Sequence, residues 1–287
     1  MSIHELVGQT AQLTAVRKAT FGIFLTDGND DVLLHINETD QDLQIGDRIE
    51  VFLYTDAQGR ISATTKIPEI SVGRYGWLKV NAVKPGVGVF LDLGIQKDLL
   101  LGEEDLPAHR SVWPQIGDMV YATIRVSRNN LLYAKLATDQ VIQSIAIKAD
   151  RKDFNKNVQG YIYRTAKVGS WIYTLEGFKG FIHESQRREE PRLGQKVGGR
   201  IIDIKEDGTV NVSLLARKQD AASEDAERIY NYLQSRNGAM PYSDKSQPED
   251  IYERFHLSKA SFKRALGTLM KEGKVYQEGS WTYIKKD

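Results

Sequence analysis

Phe21-Gly22-Ile23-Phe24, then Val32-Leu33-Leu34-His35-Ile36, then Ile45-Gly46-Asp47: these pieces, in this order, decide how the chain is read. The same order returns twice. Val87-Gly88-Val89-Phe90 leads to Leu99-Leu100-Leu101-Gly102 and Ile116-Gly117-Asp118. Val168-Gly169-Ser170-Trp171 leads to Gly180-Phe181-Ile182-His183-Glu184 and Leu193-Gly194-Gln195. Each set is a glycine-centred x-Gly-x-aromatic, an apolar strand, and an apolar-Gly-polar turn. The anchors recur about every 70–80 residues, too far apart for a solenoid unit and right for a small domain.

Within each unit the apolar runs are short, rich in β-branched and aromatic residues, and broken by turn residues. Ile49-Glu50-Val51-Phe52-Leu53-Tyr54 alternates in part and stops at Asp56-Ala57-Gln58-Gly59; Ile201-Ile202-Asp203-Ile204 stops at Glu206-Asp207-Gly208. Gln-Gly and Asp-Gly followed by another strand read as hairpins. Roughly five short strands per 60–70 residues, without a long helix, predict a closed barrel of the OB type. The Phe-Gly-x-Phe, Leu-Leu-His-Ile and Gly-Asp pieces resemble the S1 RNA-binding domain. The first repeat matches best. The third keeps Gly-Phe-Lys-Gly-Phe-Ile-His-Glu (177–184) but has Trp171 for the second phenylalanine. The second departs, with Val87 for the first phenylalanine and Leu101 where the histidine is expected.

After Ala216 the period changes from 2 to 3.6. Ala226, Ile229, Tyr230 and Leu233 share one helical face, and Gly238 is a stop signal. Pro248 with Glu249-Asp250 starts a second helix, whose apolar face holds Ile251, Tyr252 and Phe255. His256-Leu257-Ser258 makes a turn with Ser258 as cap of a third helix, with Ala260 or Phe262, Leu266, Leu269 and Met270 inward. Gly273 ends it, and Lys274-Val275-Tyr276-Gln277 and Trp281-Thr282-Tyr283-Ile284 form a hairpin across Glu278-Gly279-Ser280. Helices followed by a hairpin resemble a winged helix domain. The predicted fold is mainly β with a C-terminal α+β domain: three tandem five-stranded OB-type (S1) barrels followed by a winged helix. The expected limits are 1–66, 67–138 (divergent) and 157–216 for the barrels, 139–156 for a helical linker and 217–287 for the winged helix. Val141, Ile142, Ile145 and Ile147 make that linker a packed helix rather than a loose tether. The arrangement is similar to that of the conserved virulence factor B family of low-GC Gram-positive bacteria. The resemblance implies RNA binding with a regulatory role in gene expression, including that of virulence genes.

Single-stranded RNA offers base faces, Watson–Crick edges and a charged backbone, so aromatic platforms with nearby cations hold it. The candidates in the first barrel are Phe21, Phe24, His35 and Arg60. Phe21 and Phe24 are three apart, which puts them on opposite faces of a regular strand; a bulge at Gly22 would bring both to one face. The second barrel contributes Phe90, equally readable as packing. The third contributes Trp171 and His183, with Arg164, Lys167 and Lys179 beside them in sequence. Core burial for the rings, and a strand-end hydrogen bond for His183, are the structural alternatives. Lys259, Lys263, Arg264, Lys271 and Lys274 form the expected nucleic-acid face of the winged helix, with an ordinary solvated face as the alternative. The mixed-sign run Gln186-Arg187-Arg188-Glu189-Glu190 reads as a solvated loop.

The net charge of +1 over 287 residues hides an asymmetry. Up to Lys66 there are 5 basic and 10 acidic residues, whereas 139–216 holds 13 basic and 10 acidic. Phosphate attraction is therefore expected to be stronger toward the C-terminus. There is no cysteine, which excludes disulfides and thiolate zinc sites. No apolar run approaches the roughly 20 residues of a membrane-spanning helix, and Met1–Val7 does not read as a secretory signal. A cytoplasmic protein without membrane partners is expected. No G-x-x-x-x-G-K-[ST], H-E-x-x-H or G-x-S-x-G motif occurs. The histidines at 4, 35, 109, 183 and 256 lack metal-ligand spacing. No cofactor, metal or catalytic residue is implied, and no nuclease body is left over beside the barrels. The expectation is a non-catalytic protein whose partner is single-stranded RNA. The alternatives are a DNA-binding transcription regulator reading through the winged helix, or an adapter on ribosome or polymerase components.

Overall fold

In the computed structural model, which describes residues 2–216 and 218–285, the chain forms two compact units, Met1–Leu214 and Leu215–Asp287. Residues 1, 217, 286 and 287, which limit the expected domains, lie outside the described residues.

The first repeat folds as β1 (Thr10–Ala19), β2 (Gly22–Thr26), β3 (Asp31–His35), β4 (Arg48–Thr55) and β5 (Ile61–Thr64), closed in the order β1-β2-β3-β5-β4. Closure pairs β1 with β4 antiparallel and β3 with β5 parallel. Alternate residues turn inward: Leu13 and Ala15, Ile23 and Leu25, Val32 and Leu34, Val51 and Leu53 make the core. The second repeat closes in the same way from β6 (Gly76–Lys84), β7 (Gly88–Leu91), β8 (Leu99–Gly102), β9 (Met119–Val126) and β10 (Leu132–Leu136). Helix α1 (Asp139–Ile145), capped by the Thr138 hydroxyl, precedes the third barrel. That barrel is β11 (Asn157–Ala166), β12 (Gly169–Thr174), β13 (Lys179–His183), β14 (Lys196–Ile204) and β15 (Val210–Ser213).

The partial alternation of 49–54 has a physical cause. Val51 and Leu53 enter the first core, while Phe52 and Tyr54 on the opposite face enter the core of the second barrel. Burial in that shared core raises the Tyr54 phenol pKa strongly, and the nearby Glu38 adds to the rise. The second and third barrels meet where the Met119 amide donates to the Gly194 carbonyl at 2.9 Å and Arg192 pairs with Asp118 at 3.1 Å. Trp77 stands beside Tyr121 and Tyr161, 4.9 Å from each ring centre.

The bulge is not at Gly22, which pairs regularly with Ala19 and His35; it lies in the facing strand β1, between Ala15 and Arg17. The same one-residue slip occurs in β6 between Val80 and Ala82, and in β11 between Ile162 and Arg164. The histidine position of the second barrel is also not Leu101. Gly88 pairs with Gly102, as Gly22 pairs with His35 and Gly169 with His183. Leu101 is buried in the core.

The second unit has α2 (Lys218–Ser235), β16 (Ala239–Met240), α3 (Pro248–Phe255), α4 (Lys259–Lys271), β17 (Val275–Glu278) and β18 (Trp281–Ile284), with the sheet ordered β16-β18-β17. Ala226, Ile229 and Leu233 of α2 pack with Ile251, Phe255, Phe262, Ala265, Leu266 and Leu269. His256 adopts the left-handed conformation that ends α3, and the Ser258 hydroxyl accepts the Ser261 amide to start α4. On α4 it is Phe262, not Ala260, that points inward; Ala260 is exposed, and so is Met270, placed inward by the sequence reading. Ala265 takes the fourth inward place because 262, 265, 266 and 269 follow the i, i+3, i+4, i+7 stripe.

Candidate nucleic-acid interface

Each barrel has an aromatic ring at the same place with a cation against it. The bulge in β1 sets Arg17 opposite Phe24, and its guanidinium carbon lies 3.8 Å from the ring centre. The bulge in β11 sets Arg164 opposite Trp171, at 4.4 Å. In the second barrel Ala82 occupies that register position. Lys84, two residues along the same strand, reaches Phe90 instead, at 5.1 Å. The three rings are half-buried and the three cations exposed. A cation over a ring face is attracted by the ring quadrupole. An exposed pair of this kind offers a base a flat surface beside a phosphate-binding charge.

In the first barrel the Phe21 ring, at the β1–β2 turn, stands edge-on to Phe24 at 6.4 Å and is 48 % exposed. Thus the structure does bring both rings together, although one comes from the turn and not from a strand bulge. In the third barrel Phe181, cross-strand partner of Trp171, lies 5.0 Å from its ring and 6.3 Å from that of His183. The first and second barrels have Leu33 and Leu100 at the position of Phe181. His35 and His183 cap the 3₁₀ turns after β3 and β13: each Nδ1 accepts a backbone amide, from Asn37 and Ser185, at 3.2 Å. Nδ1 acting as acceptor puts the proton of the neutral ring on Nε2, which makes Nε2 a donor.

The remaining candidates are placed differently. Lys167 is exposed in the β11–β12 turn. Lys179 is turned toward α1, its ammonium 2.6 Å from Asp139 and 2.9 Å from Gln143, with its side chain only 13 % exposed. Arg60 grips Asp56 across its hairpin with two bonds, at 3.0 and 2.8 Å. In the second unit Lys259 opens α4 half-buried, and Lys263, Arg264, Lys271 and Lys274 are exposed. Lys263 is 3.8 Å from Asp244, Lys274 is 2.9 Å from Glu272, and Arg264 donates to the Ser261 hydroxyl.

Three participants escaped the sequence reading. Arg17 sits outside the motif, and only the strand register reveals it. Phe181 lay within the third motif but looked like one more strand residue. Arg187, read as part of a solvated loop, has its side chain buried: it donates to the carbonyls of Ala166 and Lys167 and to the Ser170 hydroxyl, and so holds the turn that presents Lys167 and Val168. Among the described residues no group of three or more His, Cys, Asp or Glu side chains could hold a metal ion, and no helix is long and apolar enough to cross a membrane.

Comparison with known proteins agrees with this layout. Four family models match: an S1 domain over residues 7–66, a "CvfB first S1-like domain" over 75–135, "Virulence regulatory factor CvfB, second domain" over 142–216, and a "CvfB-like winged helix domain" over 227–284. The chain is 52 % identical to the uncharacterized protein YitL of Bacillus subtilis, covering 97 % of this chain and 94 % of that one. It is 38 % identical to conserved virulence factor B of Staphylococcus saprophyticus, covering 82 % and 79 %. Among solved structures, a multidomain protein with nucleic acid binding domains from Streptococcus pneumoniae superposes with a TM-score of 0.68 at 32 % identity, over 98 % of this chain and 99 % of that one. With S1 barrels, a winged helix and relatives of this closeness, the chain belongs to the conserved virulence factor B family, whose domains are of the nucleic-acid-binding type.

Proposed function

We propose that this chain is a non-catalytic, cytoplasmic binder of single-stranded RNA that regulates gene expression after transcription, virulence genes among its targets. The observation that carries the reading is the exposed cation held against the motif's ring in every barrel, from the register position opposite the ring in barrels one and three and from Lys84, two residues along, in barrel two. The names of its relatives support the regulatory part. The proposed working units are barrels 1–66, 67–138 and 157–216, the spacer 139–156 and the winged helix 217–287.

The barrels are unequal in this role. Barrel three joins Trp171, Phe181 and His183 to Arg164 on a basic background and is the main anchor. Barrel one adds Phe21, Phe24 and Arg17 on an acidic one. Each stacked base contributes about 1–3 kcal/mol, and association costs several, so one barrel alone binds weakly. Linked barrels raise the effective concentration to about millimolar and bind jointly.

The test is the affinity of the Arg164→Ala/Trp171→Ala variant for a single-stranded RNA. A loss of about tenfold or more is expected, since one lost stack is worth that much. An unchanged affinity in a folded variant overturns the site. Tighter binding to duplex DNA of equal length, abolished by Lys263→Ala/Arg264→Ala, overturns the RNA reading in favour of a DNA reader.

A further inference from the structure

The three barrels fill one equivalent place differently. A 3₁₀ turn follows each of β3, β8 and β13, and the residue that ends it is Thr39 in barrel one, Leu106 in barrel two and Arg187 in barrel three. Leu106 packs against the core of barrel two. Arg187 lays its guanidinium under the β11–β12 turn, where it donates to the Ala166 and Lys167 carbonyls and the Ser170 hydroxyl and lies 3.5 Å from the Glu190 carboxylate. Thr39 is too short to do either, and its hydroxyl accepts the Gln41 amide. The place that barrel three fills with its own arginine is, in barrel one, an open cleft of about 380 Å³.

The strand register carries the comparison residue by residue. Ala19 pairs with Gly22 as Ala166 does with Gly169, and Gly22 pairs with His35 as Gly169 does with His183. Asp42 follows Thr39 at the spacing at which Glu190 follows Arg187. Ala19, Ile23 and Asp42 in the cleft wall thus stand where Ala166, Ser170 and Glu190 meet Arg187. Ile23, Leu34 and Leu43 are buried and make the inner wall apolar, while Asp40 and Asp42 are exposed. Lys18 also lines the cleft, but its ammonium is directed to Gln44 at 3.1 Å and to Asp42 at 3.8 Å.

We propose that this cleft receives an arginine side chain from a protein partner, which makes barrel one a peptide-docking module. The proposal stands apart from the RNA reading. The apolar stem of an arginine suits Ile23, Leu34 and Leu43. Its planar guanidinium offers a fork of donors to the Ala19 carbonyl and to the Asp40 and Asp42 carboxylates. Ile23 in place of the Ser170 hydroxyl removes one acceptor and adds apolar wall. The surroundings favour a cation: up to Lys66 there are 10 acidic and 5 basic residues. The same excess repels a phosphate backbone, so a basic peptide fits this cleft better than RNA does.

The experiment is methyl NMR of the intact chain with labelled isoleucines, titrated with the capped tripeptide acetyl-Gly-Arg-Gly-amide and with its citrulline counterpart, a neutral match in shape. Ile23 and Ile36, both in the cleft wall, should shift with the arginine peptide. The citrulline peptide should bind about tenfold more weakly, the worth of hydrogen bonds to a charged group. Asp40→Asn/Asp42→Asn, a pair of exposed changes, should weaken the arginine peptide about threefold. Thr39→Arg should abolish its binding by filling the cleft from within, as Arg187 does, and raise the melting temperature. Unmoved Ile23 and Ile36, an equal response to citrulline, or undiminished binding by Thr39→Arg or by the aspartate variant overturns the docking site. Larger shifts of the same methyl groups by a single-stranded RNA overturn it in favour of a nucleic-acid contact. Dimerisation in sedimentation that Thr39→Arg removes overturns a separate partner in favour of a second copy of this chain. If Thr39→Arg does not fold, the citrulline comparison and the aspartate variant decide.

Discussion

Gly22, Gly88 and Gly169 open the motif from which the barrels were read, and the structure shows why each is glycine. A Cβ at Gly22 would overlap the Leu34 carbonyl oxygen, one at Gly88 the Leu101 carbonyl, and one at Gly169 the Ile182 carbonyl and the Phe181 ring. The glycine lets the following strand come close, and that closeness holds His35 and His183 beside the turn. Gly22→Ala should cost about 1–3 kcal/mol, as overpacking does, seen as a lower midpoint in denaturant unfolding of the whole chain. An unchanged midpoint would mean that the strands yield without cost. At this scale the sequence was a fair guide to ring identity and a poor one to ring company. Phe24 and Trp171 could be picked from the motif; Arg17 and Phe181 could not, because register joins them to those rings.

Helix α1 shows the same division among elements. The apolar residues Val141, Ile142, Ile145 and Ile147 read as a packed helix, but only Ile142 is fully buried, and the helix ends at Ile145. Polar contacts also hold it: the Tyr163 hydroxyl donates to Asp139 at 2.8 Å and Lys179 pairs with the same carboxylate. Burial alone would raise the Asp139 pKa, but the hydrogen bonds from Lys179 and Tyr163 and the charge of Lys179 outweigh it and hold it below the ordinary value. Its partner hydroxyl on Tyr163 is pushed up, chiefly by burial and then by Asp139. A carboxylate with a depressed folded pKa stabilises fully above its unfolded value, about 3.9, and loses that contribution as pH falls through the folded value. The melting temperature of Asp139→Asn should therefore lie below that of the unaltered chain by a constant margin from pH 7 to 5. The margin should narrow below about pH 4, as followed by thermal melts across the series. A margin independent of pH would show that the ion pair adds nothing.

Across the whole of the first unit, the barrels are fused rather than strung. Phe52 and Tyr54 of barrel one lie in the core of barrel two, and Trp77 of barrel two is set among Tyr121, Tyr161 and Tyr173. Burial raises the pKa of both Tyr121 and Tyr173 at this junction. Aromatic pairs add about 0.5–1.5 kcal/mol each beyond the area they bury. Trp77→Ala should thus loosen barrel two from barrel three, lowering the melting temperature and enlarging the radius of gyration in X-ray scattering. A melting change without expansion would make Trp77 a local packing residue only.

The sequence by itself determined the number of repeats, the barrel class of each and the change to a helical unit after Ala216. Alternation, glycine turns and the 3.6-residue stripe act over a few neighbouring residues and are visible in a linear string. Tertiary structure alone decided which cation meets which ring, which histidine position was lost in barrel two, and that Lys179 and Arg187 serve the scaffold. Those outcomes depend on barrel closure and on a one-residue bulge in the strand opposite the motif. A slip of one residue turns each later side chain to the other face.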